Sequence, residues 1–403
     1  MLIVQKFGGT SVGDLERIQN VANRVAKTRD AGNDVVVVVS AMSGETNKLV
    51  EYAEYYSKNP ARAEMDMLLS SGERVTASLL SIALQEMGYA ATAMSGRRAG
   101  IVTDTVHTKA RIEDIDPSAM QEAVKEGKIV VVAGFQGVTK DGNVTTLGRG
   151  GSDLSAVAIA GALKADLCEI YTDVTGIFTT DPRITSKAHK LEKISYDEML
   201  ELASLGAKVL QNRSVEMAKK LNVNLVTRSS FSDEEGTLIT KEENIMEKPL
   251  VSGIALDKNQ ARISLLGVKD RPGIASEIFN KLAKAEVNVD MIVQNKAASD
   301  TTSIDFTVAK GDLHDAKAVV DEFVKNGEIK DDTYNEAICK VSVVGVGMKS
   351  HAGVAAKAFT TMAENNININ MISTSEIKIS MVIDEQYAEL AVRSLHDAYE
   401  LEK

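Results

Sequence analysis

The chain has 403 residues, 44% of them hydrophobic, and a formal net charge of −11 at pH 7. This length predicts two to four domains, and the apolar content is ample for globular cores. The acidic balance argues against a nucleic-acid-binding protein, which needs a basic face. The sequence has no run of 18 apolar residues that would predict a membrane span, and its N-terminus lacks the pattern of a signal peptide.

The number and spacing of the cysteines and histidines limit which redox and metal-binding roles the sequence predicts. The two cysteines, Cys168 and Cys339, lie far apart in strand-like apolar segments, which favours buried free thiols in a reducing compartment. The five histidines are scattered and show no metal-ligand spacing. We therefore expect a cytoplasmic protein without a metal site of its own.

Residues 2–13, LIVQKFGGTSVG, combine a strand-like start with a glycine turn and the beginning of a helix. The helix is predicted because Leu15, Ile18, Val21, Ala22 and Val25 recur at helical spacing. A glycine turn before a helix N-terminus favours phosphate binding, because backbone N–H groups and the helix dipole both face the anion. Lys6 adds a full positive charge beside the turn. Taken alone, a Gly-Gly turn is equally typical of a plain tight connection.

Up to about residue 240, β-branched runs alternate with helical patterns. Some of these runs are continuously apolar, as expected for strands that are covered on both faces. Helices between such strands predict an αβα sandwich with a mostly parallel sheet, whose ligands bind at the carboxyl ends of the strands. The predicted strands are Leu2–Val4, Val35–Val39, Ala91–Met94, Ile129–Ala133, Leu167–Tyr171 and Leu225–Arg228.

Two further polar segments follow in the first half of the chain. SAMSGETN, residues 40–47, directly follows a predicted strand, and its hydroxyl groups suit a substrate or a phosphate. Capping of the next helix by Ser43 or Thr46 is the alternative. In SSGER, residues 70–74, Ser70 and Glu73 have the spacing of a capping box, which would explain the glutamate without any ligand.

Two later segments carry arginines among polar or small residues. TTLGRGGSD, residues 145–153, surrounds Arg149 with three glycines and then opens a helix. An arginine in such an amide-rich loop can hold a carboxylate through two parallel hydrogen bonds. TDVTGIFTTDPR, residues 172–183, follows a strand end and suits a nucleotide, although a surface hairpin with an Asp-Pro turn remains the alternative.

The C-terminal part contains an internal repeat. After a polar stretch at about 231–250, residues 263–292 are similar to residues 341–372, with Gly273 aligned to Gly353. Each copy continues through a further strand and an amphipathic helix, which predicts a tandem α/β module. The turn at Gly273 can present backbone amides to a small carboxylate, whereas a duplicated module without a ligand is the alternative.

Together, KFGGTSVG, SAMSGETN, SGER, TTLGRGGSD and TDVTGIFTTDPR closely resemble the aspartate kinase family, nearly from end to end. The resemblance implies an amino-acid-kinase αβα sandwich followed by two ferredoxin-like βαββαβ ACT domains. We predict a catalytic domain at 1–245 and ACT domains at 262–332 and 338–403. The implied reaction transfers the γ-phosphoryl group of ATP, with Mg²⁺, to the β-carboxylate of L-aspartate. It gives 4-phospho-L-aspartate, on the way to lysine, threonine and methionine.

The resemblance also implies a role for individual residues. Lys6 would bridge the phosphates, Asp153 would orient Lys6, and Arg149 would hold the substrate α-carboxylate. Glu73 would hold the substrate ammonium. The other residues implied on the aspartate side are Ser40, Thr46, Gly150, Gly151 and Ser152. Those implied on the nucleotide side are Phe7, Gly8, Gly9, Thr172, Asp173, Phe178, Arg183 and Lys208.

Feedback inhibition by L-lysine, L-threonine or both follows from the same resemblance. Threonine would lie against Asp270, Gly273, Ala275 and Gln294, facing Asn368 and Ile369 of a neighbouring module. Lysine would lie near Asp290 and Glu376. The remaining implied effector residues are Ile274, Asn288, Val289, Gly353, Val354 and Asn370.

Assembly and rival functions complete the expectations. We expect a homodimer or a larger oligomer formed through the ACT domains, with or without a shorter regulatory chain. Other candidate functions are a kinase for glutamate, N-acetylglutamate or a nucleotide, a non-catalytic amino-acid sensor, and a scaffold dimer. The segment SAMSGETN and the ACT pair argue against the other kinases, and the presence of Lys6, Arg149 and Asp153 argues against a sensor.

Overall fold

The computed structural model of the chain describes residues 1–204, 209–245, 249–296 and 301–402. These residues divide into two compact units, and a segment of twelve residues departs from the chain order. The first unit contains Met1–Ile177, Lys190–Ser204 and residues 209–245, and the second contains Phe178–His189 and the described residues from 249 onward.

An eight-stranded sheet forms the centre of the first unit, with the strand order β10-β12-β11-β9-β1-β2-β6-β3. Every neighbouring pair in it is parallel except β11 and β12. A smaller sheet has the order β5-β4-β7-β8. The strands are β1 (Leu2–Phe7), β2 (Asp34–Val39), β3 (Ala91–Met94), β4 (Ile101–Thr103), β5 (Ile112–Ile115), β6 (Ile129–Ala133), β7 (Gln136–Val138), β8 (Val144–Thr146), β9 (Leu167–Thr172), β10 (Lys193–Ser195), β11 (Leu225–Ser229) and β12 (Thr237–Thr240).

All six strands predicted from the sequence are present in the large sheet. Five valines of β2 and all five residues of β6 are buried, because helices cover both faces of these central strands. The helices of this unit are α1 (Leu15–Asp30), α2 (Glu45–Tyr56), α3 (Arg62–Leu69), α4 (Ser71–Glu86), α5 (Ser118–Lys125), α6 (Gly151–Leu163), α7 (Tyr196–Ser204) and α8 (Asn212–Leu221). The predicted parallel α/β sandwich is therefore confirmed.

The second unit is built on one six-stranded antiparallel sheet, with the order β14-β15-β13-β16-β18-β17. Its strands are β13 (Gly253–Lys269), β14 (Val289–Lys296), β15 (Thr301–Val308), β16 (Asp331–Val344), β17 (Met371–Thr374) and β18 (Lys378–Asp384). Its helices are α9 (Ile274–Lys284), α10 (Leu313–Lys325), α11 (Val354–Glu364) and α12 (Ala388–Ala398). The two sequence repeats thus share a single sheet.

Two separate hydrophobic cores show how the repeats are divided. One core contains residues of α9 and α10, and the other contains residues of α11 and α12. Val251 and Ile254, which precede the first repeat in sequence, belong to the core of the second repeat. The long strands β13 and β16 make this arrangement, because each of them contributes one half to each module. The boundaries 262–332 and 338–403 stay a prediction.

The structure also bears on the predictions made for the cysteines and for membrane spans. Cys168 and Cys339 are both buried and free of disulfide bonds, as expected. Among the helices of the described residues, we find no helix with the length and apolar character needed to span a membrane.

Candidate active site

The carboxyl end of β1 places a lysine at the centre of the large sheet. The side chain of Lys6 is 9% exposed, and its Nζ atom lies 2.5 Å from Oδ1 of Asp153 in the first turn of α6. A buried ammonium is tolerated when a carboxylate compensates its charge. The pair therefore holds a positive group at the edge of the sheet where ligands of parallel sheets bind.

The glycine turn after β1 leaves little room for side chains at Gly8 and Gly9. A Cβ atom on Gly8 would lie 3.3 Å from Nζ of Lys6, and one on Gly9 would lie 3.2 Å from the carbonyl oxygen of Ala41. The Gly8 N–H donates to the carbonyl of Tyr171 at 3.3 Å. The Gly9 N–H makes no hydrogen bond to any other residue that the structure describes, so Gly9 is the better placed of the two for an anion.

Glu73 is a buried carboxylate with one oxygen unused. It lies in the first turn of α4 and is 4% exposed. Its Oε1 atom accepts a hydrogen bond from the backbone N–H of Ala41 at 3.1 Å, whereas Oε2 has no partner among the described residues. Burial raises the pKa of Glu73 to about 7. A cation placed at Oε2 would restore the charged form, so the geometry suits an ammonium group.

The capping-box interpretation of Ser70 and Glu73 is wrong. The helix α3 ends at Leu69 and α4 begins at Ser71, so Ser70 has helical backbone angles and its side chain caps nothing. Its hydroxyl donates to the carbonyl of Met67 instead. The Glu73 carboxylate is thus left for the site.

Ser40 and Ser152 come together from distant parts of the sequence. Ser40 follows β2, Ser152 lies in the first turn of α6, and their Oγ atoms are 2.8 Å apart. Thr46 lies in the first turn of α2, which begins after Gly44 in the left-handed region, with no side-chain cap. The alternative in which Ser43 or Thr46 caps this helix is therefore wrong.

The loop before α6 holds Arg149 through its backbone. Gly150 has a φ of +69°, and a Cβ atom there would lie 2.7 Å from the side chain of Gln211. The Gln211 amide donates to the Arg149 carbonyl at 2.6 Å. The exposed Arg149 guanidinium forms no ion pair with a described residue, so the structure leaves it open to a ligand.

Asp66 fixes the residues that lead into this loop through hydrogen bonds, and the sequence patterns did not indicate it. It is fully buried in α3 and accepts hydrogen bonds from the backbone N–H of Thr108, from the hydroxyl of Thr146 and from the ring of His107. Thr146 ends β8, three residues before Arg149. The sequence of α3, RAEMDMLL, contains two carboxylates, and nothing in it shows that Asp66 is the buried one or which partners it has.

The predicted nucleotide residues are divided between the two units. Thr172 ends β9 in the first unit, and its hydroxyl donates to Asp173 at 3.1 Å. Phe178 and Arg183 belong to the second unit, where the Arg183 side chain is 90% exposed and pairs with Asp181. Lys208 lies outside the described residues.

A cavity of about 470 Å³ lies on the α1 side of the glycine turn. Phe7 and Ser11 contribute to its wall, together with residues of α1 and of 230–233. Of the described residues that were predicted for the reaction, only Phe7 lines it. The cavity is therefore separate from the Lys6–Asp153 pair.

The effector residues expected in the repeats occupy equivalent places in both modules. Gly273 precedes α9 and Gly353 precedes α11, each with a φ of +95° that favours glycine. Asp290 pairs with the buried ammonium of Lys340, which comes from the adjacent module. Glu376 lies in the connection between β17 and β18. The other predicted residues lie at these turns, near the strand starts that follow each helix or on the strands themselves: Asp270, Ile274, Ala275, Asn288, Val289, Gln294, Val354, Asn368, Ile369 and Asn370.

A parallel sheet with a lysine, a glycine turn and a helix N-terminus at its carboxyl edge suits an enzyme that binds and transfers phosphate groups. Residues 1–228 match the amino acid kinase family, and residues 263–323 and 341–399 match the ACT domain. The aspartokinase of Helicobacter pylori strain J99 is 58% identical over 407 residues, which cover all of both chains.

Solved structures agree with this match. Escherichia coli aspartokinase III in complex with aspartate and ADP, in the R-state, is similar with a TM-score of 0.81 and 27% identity, over 99% of both chains. The same enzyme in complex with lysine and aspartate, in the T-state, is similar with a TM-score of 0.79 and 27% identity. This match covers 98% of this chain and 99% of the E. coli chain. The chain belongs to the aspartokinase family and is an enzyme.

Proposed function

We propose that this chain transfers the γ-phosphoryl group of ATP to the β-carboxylate of L-aspartate and releases 4-phospho-L-aspartate and ADP. The Lys6–Asp153 pair carries this proposal, because it places a buried ammonium where two anions have to meet. The substrates are proposed from the H. pylori relative and from the aspartate and ADP bound in the E. coli enzyme.

The chemistry needs charge compensation more than proton transfer. An aspartate side chain has a pKa of about 3.9, so its carboxylate is already a nucleophile at pH 7. A carboxylate oxygen attacks the γ-phosphorus, the bond to the β,γ-bridging oxygen breaks, and ADP leaves with that electron pair. No proton moves. Lys6 offsets the repulsion between the anions, and Asp153 holds its ammonium in place.

Aspartate recognition is assigned to three groups around the pair. The free Oε2 atom of Glu73 receives the α-ammonium, and the Arg149 guanidinium receives the α-carboxylate. The hydroxyl pair of Ser40 and Ser152 donates to the substrate. Thr46, Gly150 and Gly151 shape the same side.

ATP is assigned to the glycine turn and the end of β9. Gly9 donates to the phosphates, and Thr172, Asp173, Phe178 and Arg183 are assigned to the nucleotide. Magnesium would neutralise part of the triphosphate charge as a partner of ATP. Among the described residues, no three acidic, histidine or cysteine side chains cluster in a way that could hold a metal ion.

Regulation is proposed to reside in the two ACT modules. Lysine is bound in the T-state structure of the E. coli enzyme, and we extend this to L-lysine, L-threonine or both as effectors here. The matching glycine turns before α9 and α11 support one amide-lined carboxylate site in each module. We also propose assembly through these modules, as a homodimer or a larger oligomer.

Activity is tested by incubating the protein with MgATP and L-aspartate and trapping the acyl phosphate with hydroxylamine. Lys6→Met should lower kcat by about two to three orders of magnitude while leaving the aspartate KM nearly unchanged, because it removes a contact of the transition state. The control is Lys27→Met, whose side chain is 76% exposed. Near-normal kcat in Lys6→Met would overturn the role, and preferred use of L-glutamate would overturn the substrate.

Effector binding is tested by titration calorimetry with L-threonine and L-lysine, singly and together. Heat in at least one combination, with inhibition at the same concentrations, is expected. Coupling of about 1–3 kcal/mol would correspond to a 5- to 150-fold change in affinity. No heat in any combination would end this part of the proposal.

A further inference from the structure

The segment Phe178–His189 leaves the first unit and returns to it. Its two ends are joined within the first unit, where the Leu191 N–H donates to the carbonyl of Ile177 at 2.8 Å. Between these ends all twelve residues belong to the second unit. Phe178 and Arg183, two of the residues assigned to the nucleotide, therefore lie on a loop whose packing partners are in the second ACT module.

Thr179 is the anchor of this loop. It is 4% exposed, and its carbonyl accepts a hydrogen bond from the N–H of Ile254 in β13 at 2.7 Å. Its hydroxyl accepts from the N–H of His189 at 2.9 Å and lies 2.9 Å from Nε2 of His396 in α12. One side chain thus joins both ends of the loop to a helix of the module.

His396 is an unusual residue for this position. It is fully buried, and its Nδ1 atom has no hydrogen-bond partner among the described residues. Burial lowers the pKa of His396, so the ring is neutral near pH 7. An apolar side chain would fill this space without leaving a buried nitrogen unpaired. The contact with Thr179 is the one polar interaction of the ring that the described residues show.

The remaining contacts of the loop are weaker or apolar. Ile184 packs against the core of the second module. The ammonium of Lys187 lies 2.8 Å from Asp397, but both side chains are about half exposed, and such surface pairs contribute little. Thr179 and His396 are thus the buried polar link between the loop and α12.

We propose that Thr179 and His396 are positioning residues for ATP, which hold the loop carrying Phe178 and Arg183 in register with the second ACT module. This inference rests on the proposed function, because it takes the loop to contact the nucleotide. Through this link the conformation of the loop depends on α12, whereas the residues assigned to aspartate lie in the first unit.

Steady-state kinetics of the full chain tests the inference. His396→Leu should raise the KM for ATP three- to tenfold, with the KM for aspartate and kcat each within twofold of the unmodified enzyme. His396→Gln keeps an amide nitrogen near the Nε2 position and should restore most of the ATP KM. Lys187→Gln removes the exposed ion pair of the same loop and serves as the matched control, with no change expected.

Two outcomes overturn the inference, and Arg183→Ala separates it from the proposed function. If Arg183→Ala raises the ATP KM and His396→Leu does not, the loop contacts ATP but is not positioned by His396. If His396→Leu and His396→Gln both shift all kinetic parameters together, the residue is merely structural. An unchanged ATP KM in Arg183→Ala would instead count against the assignment of this loop to the nucleotide.

Discussion

Replacement of Glu73 by glutamine tests whether a buried carboxylate receives the ammonium of aspartate. The substitution keeps the size of the side chain and the hydrogen bond from the Ala41 N–H, but it removes the negative charge at Oε2. A charge-assisted hydrogen bond contributes about 1.5–3 kcal/mol. The aspartate kcat/KM should therefore fall roughly ten- to a hundredfold in Glu73→Gln.

The pH dependence gives a sharper test, because the pKa of Glu73 is about 7 in the free protein. Below pH 7 the carboxylate takes up a proton, and the site loses the charge that binds the ammonium. The aspartate kcat/KM of the unmodified enzyme should thus fall about tenfold per pH unit below 7, while kcat changes less, because bound substrate keeps Glu73 ionised. Glu73→Gln should show no such break.

The free energy of unfolding should fall as the pH rises, whereas the aspartate kcat/KM rises with pH. When folding raises the pKa of a carboxyl group, the folded state binds the proton more tightly than the unfolded state does. Deprotonation therefore costs more free energy in the folded state, and the fold is least stable above the raised pKa. The difference between 4.5 and about 7 corresponds to about 3 kcal/mol, at about 1.36 kcal/mol per pKa unit. Relative to Glu73→Gln, the unmodified protein should lose this stability between pH 4.5 and 7, as measured by urea unfolding without substrate.

The control for these measurements is Glu169→Gln. Glu169 is also buried, but Gln5 and Tyr171 donate to it and Arg228 pairs with it. This variant should keep the break near pH 7. Parallel pH profiles for the unmodified enzyme and Glu73→Gln would refute the reasoning, because the titrating group would then lie elsewhere.

Three further substitutions are expected to have separable effects. Gly8→Ala should lower kcat about tenfold, because the new Cβ atom meets the Lys6 ammonium at 3.3 Å. Gly311→Ala adds a Cβ atom in open space and is the control. Equal kcat values for the two variants would contradict this prediction. Asp66→Asn should lower the free energy of unfolding by about 2–4 kcal/mol in urea, because three donors lose a buried, charged acceptor. A change below about 0.5 kcal/mol would count against it. Arg149→Ala should raise the aspartate KM at least tenfold at similar kcat, and saturation at the usual aspartate concentration would contradict that role.

Local sequence patterns predicted six strands of the first unit because the pattern and its cause lie in the same few residues. The five valines before Ser40 form a strand that is buried on both faces, and the apolar spacing of α1 matches its buried face except at Leu15, which is 67% exposed. The capping-box interpretation failed for the converse reason. The spacing of Ser70 and Glu73 carries no information on whether the preceding helix already reaches Ser70.

The amino-acid sequence by itself determined six strands of the large sheet, the duplication of the C-terminal module and, through resemblance, the family and the Lys6–Asp153 pair. Tertiary structure alone decided which other groups meet, the Ser40–Ser152 hydroxyl pair and the Thr179–His396 link across 217 residues, and which oxygen of Glu73 has no partner. Backbone periodicity depends on near neighbours and can be read along the chain. A buried charge or hydrogen bond depends on partners that only the packing of distant segments brings within reach.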